Sequence, residues 1–170
     1  MAPKESRGDL GRVVVIGGNG ALGYHIVNQA LESWTTSLVA SIDLRCQRNR
    51  NEAAQYRECD ITDVDALTSA LEDLKPDVVI HTASPVASDH TVNKDLYTRV
   101  NVDGTSNVIE ASRKAGVKAL VFTSSASVIS DGAGGNILNA DERWPVIRGD
   151  QQGEFYSETK VSGLRKGQHR

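Results

Sequence analysis

A glycine-rich segment that directly follows the first apolar run constrains the fold of this chain more than any other feature. Residues 12–16 are short, β-branched and bounded by glycine, which predicts a buried strand. Three glycines, Gly17, Gly20 and Gly23, come next, and apolar residues then recur at helical spacing over residues 20–33. The chain is therefore predicted to begin with a strand, a tight glycine turn and a helix.

Glycine at these three places has a physical use. It allows a tight turn, lets the backbone approach a pyrophosphate group and permits the helix to pack closely on the strand. The N-terminus of the helix adds free N–H groups and a partial positive charge that favour phosphate. The segment therefore predicts a dinucleotide-binding turn, and the alternative is a tight strand-to-helix turn that binds nothing.

Strands and helices are predicted to alternate along the rest of the chain. Further strands are expected over residues 37–42, 56–59, 77–81 and 119–123. Further helices are expected over 64–74 with Asp63 as N-cap, over 96–115 up to Gly116, and from Tyr156 onwards, where Gly163 and Gly167 weaken the far end. Residues 45–55 are expected to form a loop or short helix, and residues 131–150 a loop. This alternation predicts an α/β fold, a single Rossmann-like domain with a doubly wound parallel sheet that binds ligands at the carboxyl ends of its strands.

Composition and charge exclude several other classes of protein. The 170 residues suit one domain, and the net charge of −3 argues against a nucleic-acid partner. No apolar run approaches the roughly 18 residues of a membrane span, and residues 1–10 lack the apolar core of a signal peptide, so a cytoplasmic protein is expected. Cys46 and Cys59 lack the paired spacing of a zinc site, so reduced thiols and no metal are expected.

Asp43 ends the second predicted strand, twenty residues beyond Gly23. A carboxylate at this place can accept hydrogen bonds from both ribose hydroxyls and repels a 2′-phosphate, which favours NAD over NADP. Arg45 is the opposing signal, because a guanidinium two residues further on could bind that phosphate. NAD is therefore the expected cofactor and NADP the alternative. If no ligand binds here, Asp43 would serve only as a cap at the end of the strand.

Five further segments agree with the glycine spacing, and together they resemble the extended short-chain dehydrogenase/reductase family. They are Asp60-Ile-Thr-Asp63, His81-Thr-Ala-Ser-Pro85, Val100-Asn-Val-Asp-Gly-Thr105, Thr123-Ser-Ser-Ala-Ser127 and Tyr156-Ser-Glu-Thr-Lys160. Within that family the chain is most similar to the 3β-hydroxysteroid (sterol) dehydrogenase/isomerase branch and to its neighbours, the dihydroflavonol-reductase-like enzymes. The resemblance covers about residues 12–160.

The resemblance implies a Ser-Tyr-Lys site and a nicotinamide cofactor. The catalytic residues that it implies are Ser125, Tyr156 and Lys160, with Ser124 and Ser127 as competitors of Ser125. The cofactor-binding residues that it implies are Gly17, Gly20, Ala21, Leu22, Gly23, Asp43, Asp60, Ile61, Thr82, Ala83, Asn101 and Lys160.

The chemistry of Tyr156 and Lys160 makes sense independently of the family. Because they are four residues apart, they share one face of the predicted helix. An ammonium beside a phenol stabilises the phenolate, so the phenol can exchange a proton with a substrate hydroxyl or carbonyl. Ser125 is expected to hold the substrate oxygen by a hydrogen bond. Without the upstream motifs, such a tyrosine–lysine pair would be interpreted as a surface contact on a helix.

Only ten residues follow Lys160, whereas members of the extended family usually continue well beyond this helix. The sequence therefore predicts a flexible N-terminus over residues 1–11, a dinucleotide-binding domain over 12–160 and a polar basic tail over 161–170, without most of the C-terminal substrate region. The resemblance also places the helices over 96–115 and after Tyr156 at a dimer surface, so a homodimer is expected.

Three functions are compatible with these features. The leading prediction is an NAD(P)-dependent oxidoreductase that interconverts a hydroxyl and a ketone on a small-molecule substrate, either sterol-like or another polycyclic natural product. The second is a non-redox isomerase or cyclase that keeps Tyr156 as its acid or base. The third is a cofactor-binding module without catalysis.

Overall fold

The chain divides into two units in a computed structural model that describes residues 7–85, 93–130, 137–141 and 143–168. Unit 1 comprises Met1–Ser84 and Asn107–Thr123, and unit 2 comprises Pro85–Ser106 and Ser124–Arg170. Part of the loop predicted over residues 131–150 lies outside the described residues.

Unit 1 contains a five-stranded sheet in which every neighbouring pair of strands is parallel. Its strands are β1 (Asp9–Ile16), β2 (Thr35–Asp43), β3 (Gln55–Glu58), β4 (Val78–His81) and β5 (Ala119–Phe122). The order across the sheet is β3-β2-β1-β4-β5, so the chain leaves β1 in one direction and returns past it to form β4. The predicted doubly wound, Rossmann-like α/β fold is confirmed.

The core of unit 1 surrounds the central strand. Residues 13–16 of β1 are fully buried, as expected for a strand covered on both faces. Two helices are α1 (Ala21–Ser33) and α2 (Val64–Leu74). Val27 of α1 packs with the β1 residues Val13 and Val15 in one apolar cluster. The predicted N-cap of α2 is confirmed, because an Asp63 oxygen accepts a hydrogen bond from the Ala66 N–H at 3.0 Å.

The helix predicted over residues 96–115 consists of three consecutive segments. Helix α3 (Lys94–Tyr97) runs into a π-helical segment (Thr98–Gly104), which runs into helix α4 (Thr105–Lys114). In a π-helical turn each hydrogen bond spans one residue more than in an α-helix. The spacing of apolar residues did not predict this turn. The predicted left-handed stop after α4 is confirmed, because Gly116 has a φ of 72°.

Unit 2 is built from short helical elements around helix α5 (Phe155–Gln168). Two 3₁₀ turns, Ala126–Ile129 and Gly149–Gln151, precede α5, and the π-helical segment packs against α5. The backbone of Ile147 donates a hydrogen bond to the Val128 carbonyl at 2.9 Å, which ties the approach to α5 to the first of these turns.

Two predicted boundaries need correction. Residues 9–11, expected in a flexible N-terminus, belong to β1, because Asp9 and Gly11 pair with the beginning of β2. Residues 161–168, expected in a polar tail, continue α5 beyond Lys160, and Val161 is buried. Gly163 lies within this helix, where burial on one face outweighs the low helix propensity of glycine.

Candidate functional site

The glycine loop after β1 has little room for side chains at three of its positions. Gly17 has a φ of 83°, and a Cβ there would lie 2.6 Å from the Ala83 nitrogen. A Cβ on Gly23 would overlap the Gly17 carbonyl oxygen, and one on Gly18 would lie 2.7 Å from Ser41 Cβ. These distances are below van der Waals contact, so the tight path of the loop itself requires glycine here.

Gly20 differs from the other glycines of the loop. It has an extended backbone (φ −71°, ψ 169°) at the N-cap of α1, and no side chain caps the helix from this position. A Cβ on Gly20 would lie 3.2 Å from the Gly17 carbonyl oxygen, which is the one atom within 4 Å in the described part of the chain apart from the two neighbouring residues. Ala21 and Leu22, the first residues of α1, are exposed. A side chain at this position therefore needs a smaller adjustment of the loop than one at Gly17, Gly18 or Gly23. Close approach of a phosphate to the helix N-terminus would also favour glycine here.

Asp43 is connected to the glycine loop through Asn19. The Asn19 N–H donates to Asp43 Oδ2 at 3.0 Å, and the Ser41 hydroxyl donates to Asn19 Oδ1 at 2.7 Å. The Asn19 amide donates to the Arg48 carbonyl at 2.6 Å, which ties the segment after β2 to the loop. Among the described residues the side-chain hydrogen bond of Asp43 uses Oδ2, so Oδ1 could accept one from a ribose hydroxyl. Arg45, the residue that would favour NADP, is exposed.

Thr82 and Ala83 lie beside the glycine loop, as the carboxyl ends of adjacent parallel strands require. The Thr82 hydroxyl donates to the Ile16 carbonyl at 2.9 Å, and the Ala83 backbone lies next to Gly17. These contacts place the end of β4 next to the end of β1, where ligands bind in sheets of this topology.

Asp60 and Ile61 lie in a turn after β3 that is held by hydrogen bonds. The Thr62 N–H donates to Asp60 Oδ1 at 2.9 Å, and the Asn107 amide of α4 donates to the Ile61 carbonyl at 2.9 Å. Ile61 is buried, while Asp60 is exposed. The turn thus has a fixed backbone, and binding of the cofactor by Asp60 and Ile61 remains a prediction.

Tyr156 and Lys160 lie one turn apart on α5, as predicted. The ring of Tyr156 packs edge-on against the ring of Tyr97, with 5.8 Å between the ring centroids. The Lys160 side chain is only 3% exposed, and burial lowers the pKa of its ammonium group from 10.5 to about 8. Lysine is almost never fully buried in proteins. The burial of Lys160 therefore argues against the alternative that Tyr156 and Lys160 form a plain surface contact on a helix.

Asn101 connects the π-helical segment to α5. Its amide donates to the Thr159 hydroxyl at 3.0 Å, and Thr159 in turn donates to the Tyr156 carbonyl at 2.7 Å. Asn101 Oδ1 is buried and accepts no hydrogen bond from the part of the chain that the structure describes. Asn101 therefore fixes the helical turn that carries Tyr156 and Lys160, and its predicted contact with the cofactor remains a prediction.

Ser125 stands at the beginning of the Ala126–Ile129 turn and is half-buried. Its oxygen accepts a hydrogen bond from the Ser127 N–H at 3.2 Å and lies 2.7 Å from the Ser127 hydroxyl. The competitor Ser124 has a buried hydroxyl that contacts no hydrogen-bond partner among the described residues. Ser125, Tyr156 and Lys160 all belong to unit 2.

The described ranges show neither a metal centre nor a membrane span. No group of three or more histidine, cysteine or carboxylate side chains there could hold a metal ion. Among the helices described, none has the length and apolar character to cross a membrane. Cys46 and Cys59 are free thiols, and burial is the main cause that raises the pKa of each.

Comparison with known proteins connects this geometry to a family. The sequence profile of the 3-beta hydroxysteroid dehydrogenase/isomerase family matches residues 14–163. The chain belongs to this family. The resemblance inferred from the motifs is therefore confirmed, and the matched residues include the glycine loop, Ser125, Tyr156 and Lys160.

Curated relatives of this family member are considerably longer than the chain. A sterol-4-alpha-carboxylate 3-dehydrogenase (decarboxylating) of Candida albicans is 34% identical over 161 residues, which are 90% of this chain and 44% of the relative. A 3 beta-hydroxysteroid dehydrogenase/Delta 5→4-isomerase of Mycobacterium tuberculosis is 35% identical over 160 residues, which are 90% of this chain and 41% of the relative. The chain thus spans about two fifths of the length of these relatives.

Solved structures share the fold. The UDP-glucose 4-epimerase of Thermus thermophilus, solved as a complex with NAD, superimposes with a TM-score of 0.77 at 27% identity. The superposition covers 92% of this chain and 50% of the epimerase chain. This chain and the epimerase therefore share a fold over the superimposed region.

Three residues of this site were missed by sequence reasoning. Asn19 lies inside the glycine string, Thr159 lies inside the Tyr156–Lys160 motif, and Asn107 follows the Asn101 segment. Each donates or accepts a hydrogen bond that fixes a predicted site residue. Their place within or beside the recognised motifs could have indicated them. A polar residue that becomes buried next to a site needs hydrogen-bond partners there.

Proposed function

We propose that this family member is an NAD(P)-dependent oxidoreductase that interconverts a hydroxyl and a ketone on a sterol-like or other polycyclic substrate. The observation that carries the proposal is the buried Lys160, whose lowered pKa of about 8 accompanies its place one turn after Tyr156. The names of the curated relatives, which are 3-dehydrogenases of sterols and steroids, support the same reaction class.

The residues of unit 1 fit a dinucleotide. Gly20 leaves space at the N-terminus of α1 for the pyrophosphate, and Asp43 offers a free carboxylate oxygen to the ribose of the adenosine. Thr82 and Ala83 would line the adjacent end of β4. Asp43 is hydrogen-bonded to the loop while Arg45 is exposed, which supports NAD over NADP. Bound nicotinamide supplies the hydride acceptor for oxidation of the alcohol.

The residues of unit 2 fit the movement of the proton. Tyr156 accepts the hydroxyl proton of the substrate as the alcohol is oxidised, and it returns the proton when a ketone is reduced. With a pKa of about 8, Lys160 is mostly an ammonium at neutral pH, so it supplies a positive charge one helical turn from Tyr156. Ser125 holds the substrate oxygen during this exchange.

The test is hydride transfer, followed at the absorbance of reduced nicotinamide, with a 3β-hydroxysteroid and NAD as probes. Tyr156→Phe is expected to lower the rate about 10²–10⁴-fold, because it removes the acid–base group and leaves the ring against Tyr97. Tyr97→Phe is the matched control, since it makes the same change on the partner ring. A Tyr156→Phe variant with wild-type turnover would overturn the assignment of Tyr156.

A second candidate function is double-bond isomerisation with Tyr156 as acid or base. It is favoured by the name of the Mycobacterium tuberculosis relative, which includes a Delta 5→4-isomerase. A steroid product that forms without any nicotinamide, and that Tyr156→Phe abolishes, would support this candidate. Binding of NAD without turnover of either kind would instead support a cofactor-binding module.

A homodimer in the cytoplasm is part of the same proposal. Its support is the family resemblance. Light scattering on the purified chain measures the mass directly, and a monomer of 18.3 kDa at micromolar concentration would contradict the proposal.

A further inference from the structure

Asn19, in the middle of the glycine loop, forms hydrogen bonds through its backbone and through both ends of its side-chain amide. Its N–H donates to Asp43 Oδ2 at 3.0 Å, and its carbonyl accepts from the Asn49 amide at 2.8 Å. Its side-chain oxygen accepts from the Ser41 hydroxyl at 2.7 Å, and its side-chain NH₂ donates to the Arg48 carbonyl at 2.6 Å. Asn19 is only 8% exposed, so these bonds are shielded from water. One residue thus joins the end of β2 to the segment that follows it.

The side chain of Asn19 fits this place in one orientation. A backbone carbonyl can only accept a hydrogen bond, so the atom that faces the Arg48 carbonyl is the NH₂ group of Asn19. The side-chain oxygen then faces Ser41, whose hydroxyl donates to it. An ionised aspartate at this position has no donor and could not fill both contacts. The side chain of Asn19 therefore fixes the place of its own N–H, which is the group that reaches Asp43.

The side chain of Asp43 is held by this neutral N–H although arginines follow it closely in the chain. Residues 45–50, which we call the arginine segment, contain three arginines, and two of them, Arg45 and Arg48, are exposed. The ion pairs in the described part of the chain include neither Asp43 nor these two arginines. In that part of the chain, no ion pair neutralises the charge of Asp43.

We propose that Asn19 is a positioning residue for the choice of cofactor, which keeps the Asp43 carboxylate on the glycine loop and apart from the arginine segment. A carboxylate at the ribose that is not neutralised repels the 2′-phosphate of NADP. Without the Asn19 side chain, the arginine segment loses its anchor at the Arg48 carbonyl, and a guanidinium of the segment can pair with Asp43. Such a pair cancels the repulsion and competes with the ribose hydroxyls of NAD. The proposal rests on the proposed function for the identity of the ligand.

The test compares the binding of NAD and NADP to the wild type and to Asn19→Ala by calorimetry. We expect the ratio of the NADP Kd to the NAD Kd to fall by about fivefold or more in Asn19→Ala, because NAD loses its ribose contact and NADP loses the repulsion. A merely structural role would weaken both dinucleotides in parallel, since they share the same pyrophosphate, and would leave the ratio unchanged. An unchanged ratio overturns the proposal.

The same measurement in the Asp43→Ala background shows whether Asn19 acts through Asp43. In that background Asn19→Ala should change the ratio by less than about twofold, because no carboxylate is left to position. An equal change of the ratio in both backgrounds contradicts an action through Asp43.

Asn28→Ala is the matched control, because it makes the same chemical change in the neighbouring helix α1. Asn28 accepts a hydrogen bond from the Asn51 amide at 2.6 Å and donates one to the Tyr24 carbonyl at 3.0 Å. Neither bond involves Asp43 or the glycine loop, so the ratio of the two Kd values should equal that of the wild type.

Asn49→Gly tests the proposal if Asn19→Ala fails to fold. It removes the bond from the Asn49 amide to the Asn19 carbonyl, and glycine suits the φ of 50° at this position. Because one of the bonds between the arginine segment and Asn19 is then lost, the ratio should fall by about twofold or more. An unchanged ratio in this variant also overturns the proposal.

Failure of this proposal is distinguishable from failure of the proposed function. A wild type that binds NAD, with an unchanged ratio in the variants, contradicts only the role of Asn19. A wild type that binds NAD but turns over no steroid contradicts the oxidoreductase, while the Kd ratios still decide the role of Asn19. A wild type that binds neither dinucleotide, or that prefers NADP, overturns both the assignment of NAD and the role of Asn19.

Discussion

Replacement of two glycines in the same loop is expected to have different effects, on stability in one case and on NAD binding in the other. Gly23→Ala places a methyl group where it overlaps the Gly17 carbonyl oxygen and comes within 2.7 Å of Gly18 Cα. Gly20→Val places its Cβ 3.2 Å from the Gly17 carbonyl oxygen, and among the described residues, its two chain neighbours aside, no other atom lies within 4 Å. The first change disturbs the fold, and the second disturbs the surface that faces the proposed phosphates.

The cost of Gly23→Ala follows from these contacts. The three nearest atoms to that methyl group all belong to the backbone, so no side-chain rotation relieves the overlap. Forcing an extra methyl group into a packed site costs about 3 kcal/mol. The higher helix propensity of alanine offsets about 1 kcal/mol of this, because Gly23 lies in α1. The net loss of about 2 kcal/mol corresponds to a decrease in Tm of about 4–8 °C for a chain of this length.

Gly20→Val is expected to keep the Tm within about 4 °C of the wild type, since its extended backbone suits a β-branched residue. Its affinity for NAD should nevertheless fall by tenfold or more, about 1.4 kcal/mol, because the side chain occupies the approach to the helix N-terminus. Calorimetry with NAD and thermal unfolding of both variants measure the two effects. Unchanged NAD affinity in Gly20→Val would remove the phosphate-loop assignment, and an unchanged Tm in Gly23→Ala would refute the packing argument.

Three further outcomes are expected. Asp43→Ala should weaken NAD binding about tenfold and relax discrimination against NADP, measured by calorimetry with both cofactors; a wild type that prefers NADP would contradict this. Lys160→Met removes a group whose pKa is lowered to about 8 in the folded chain. The unfolded chain therefore binds more protons than the folded chain between about pH 8 and pH 10.5, so the wild type should gain stability relative to Lys160→Met as the pH rises through that window. A difference in Tm between the two proteins that does not change with pH would argue against the burial of Lys160. Gly116→Ala, at a φ of 72°, should cost about 1 kcal/mol of stability and leave NAD affinity unchanged, as urea unfolding and calorimetry would show.

The parts of the fold that local patterns control could be predicted from the sequence. The five strands, the helices α1 and α2, the Asp63 cap and the Gly116 stop each depend on residues within a short segment. The predicted boundaries of these elements were less accurate, because pairing with the neighbouring strand decides where a strand begins. Asp9 is polar and lies next to glycine, yet it joins β1 opposite Thr35.

The candidate site could be predicted only as a set of motifs. The glycine loop and the Tyr156–Lys160 pair are local, so their spacing was visible. The burial of Lys160 was not, because it depends on elements that pack around α5. The bond between Asn101 and Thr159 joins residues that are 58 positions apart, and no single segment of sequence contains that information.

The sequence by itself determined the alternation of strands and helices, the glycine turn that opens α1 and the order of the family motifs, since each follows from neighbouring residues and their backbone preferences. Only the tertiary structure decided which polar groups contact each other. Asn19 reaches Asp43, and the Asn101 amide reaches the Thr159 hydroxyl. The physical reason is that a hydrogen bond depends on distance and direction in space, and folding alone brings distant residues such as Asn19 and Asp43 within 3.0 Å of each other.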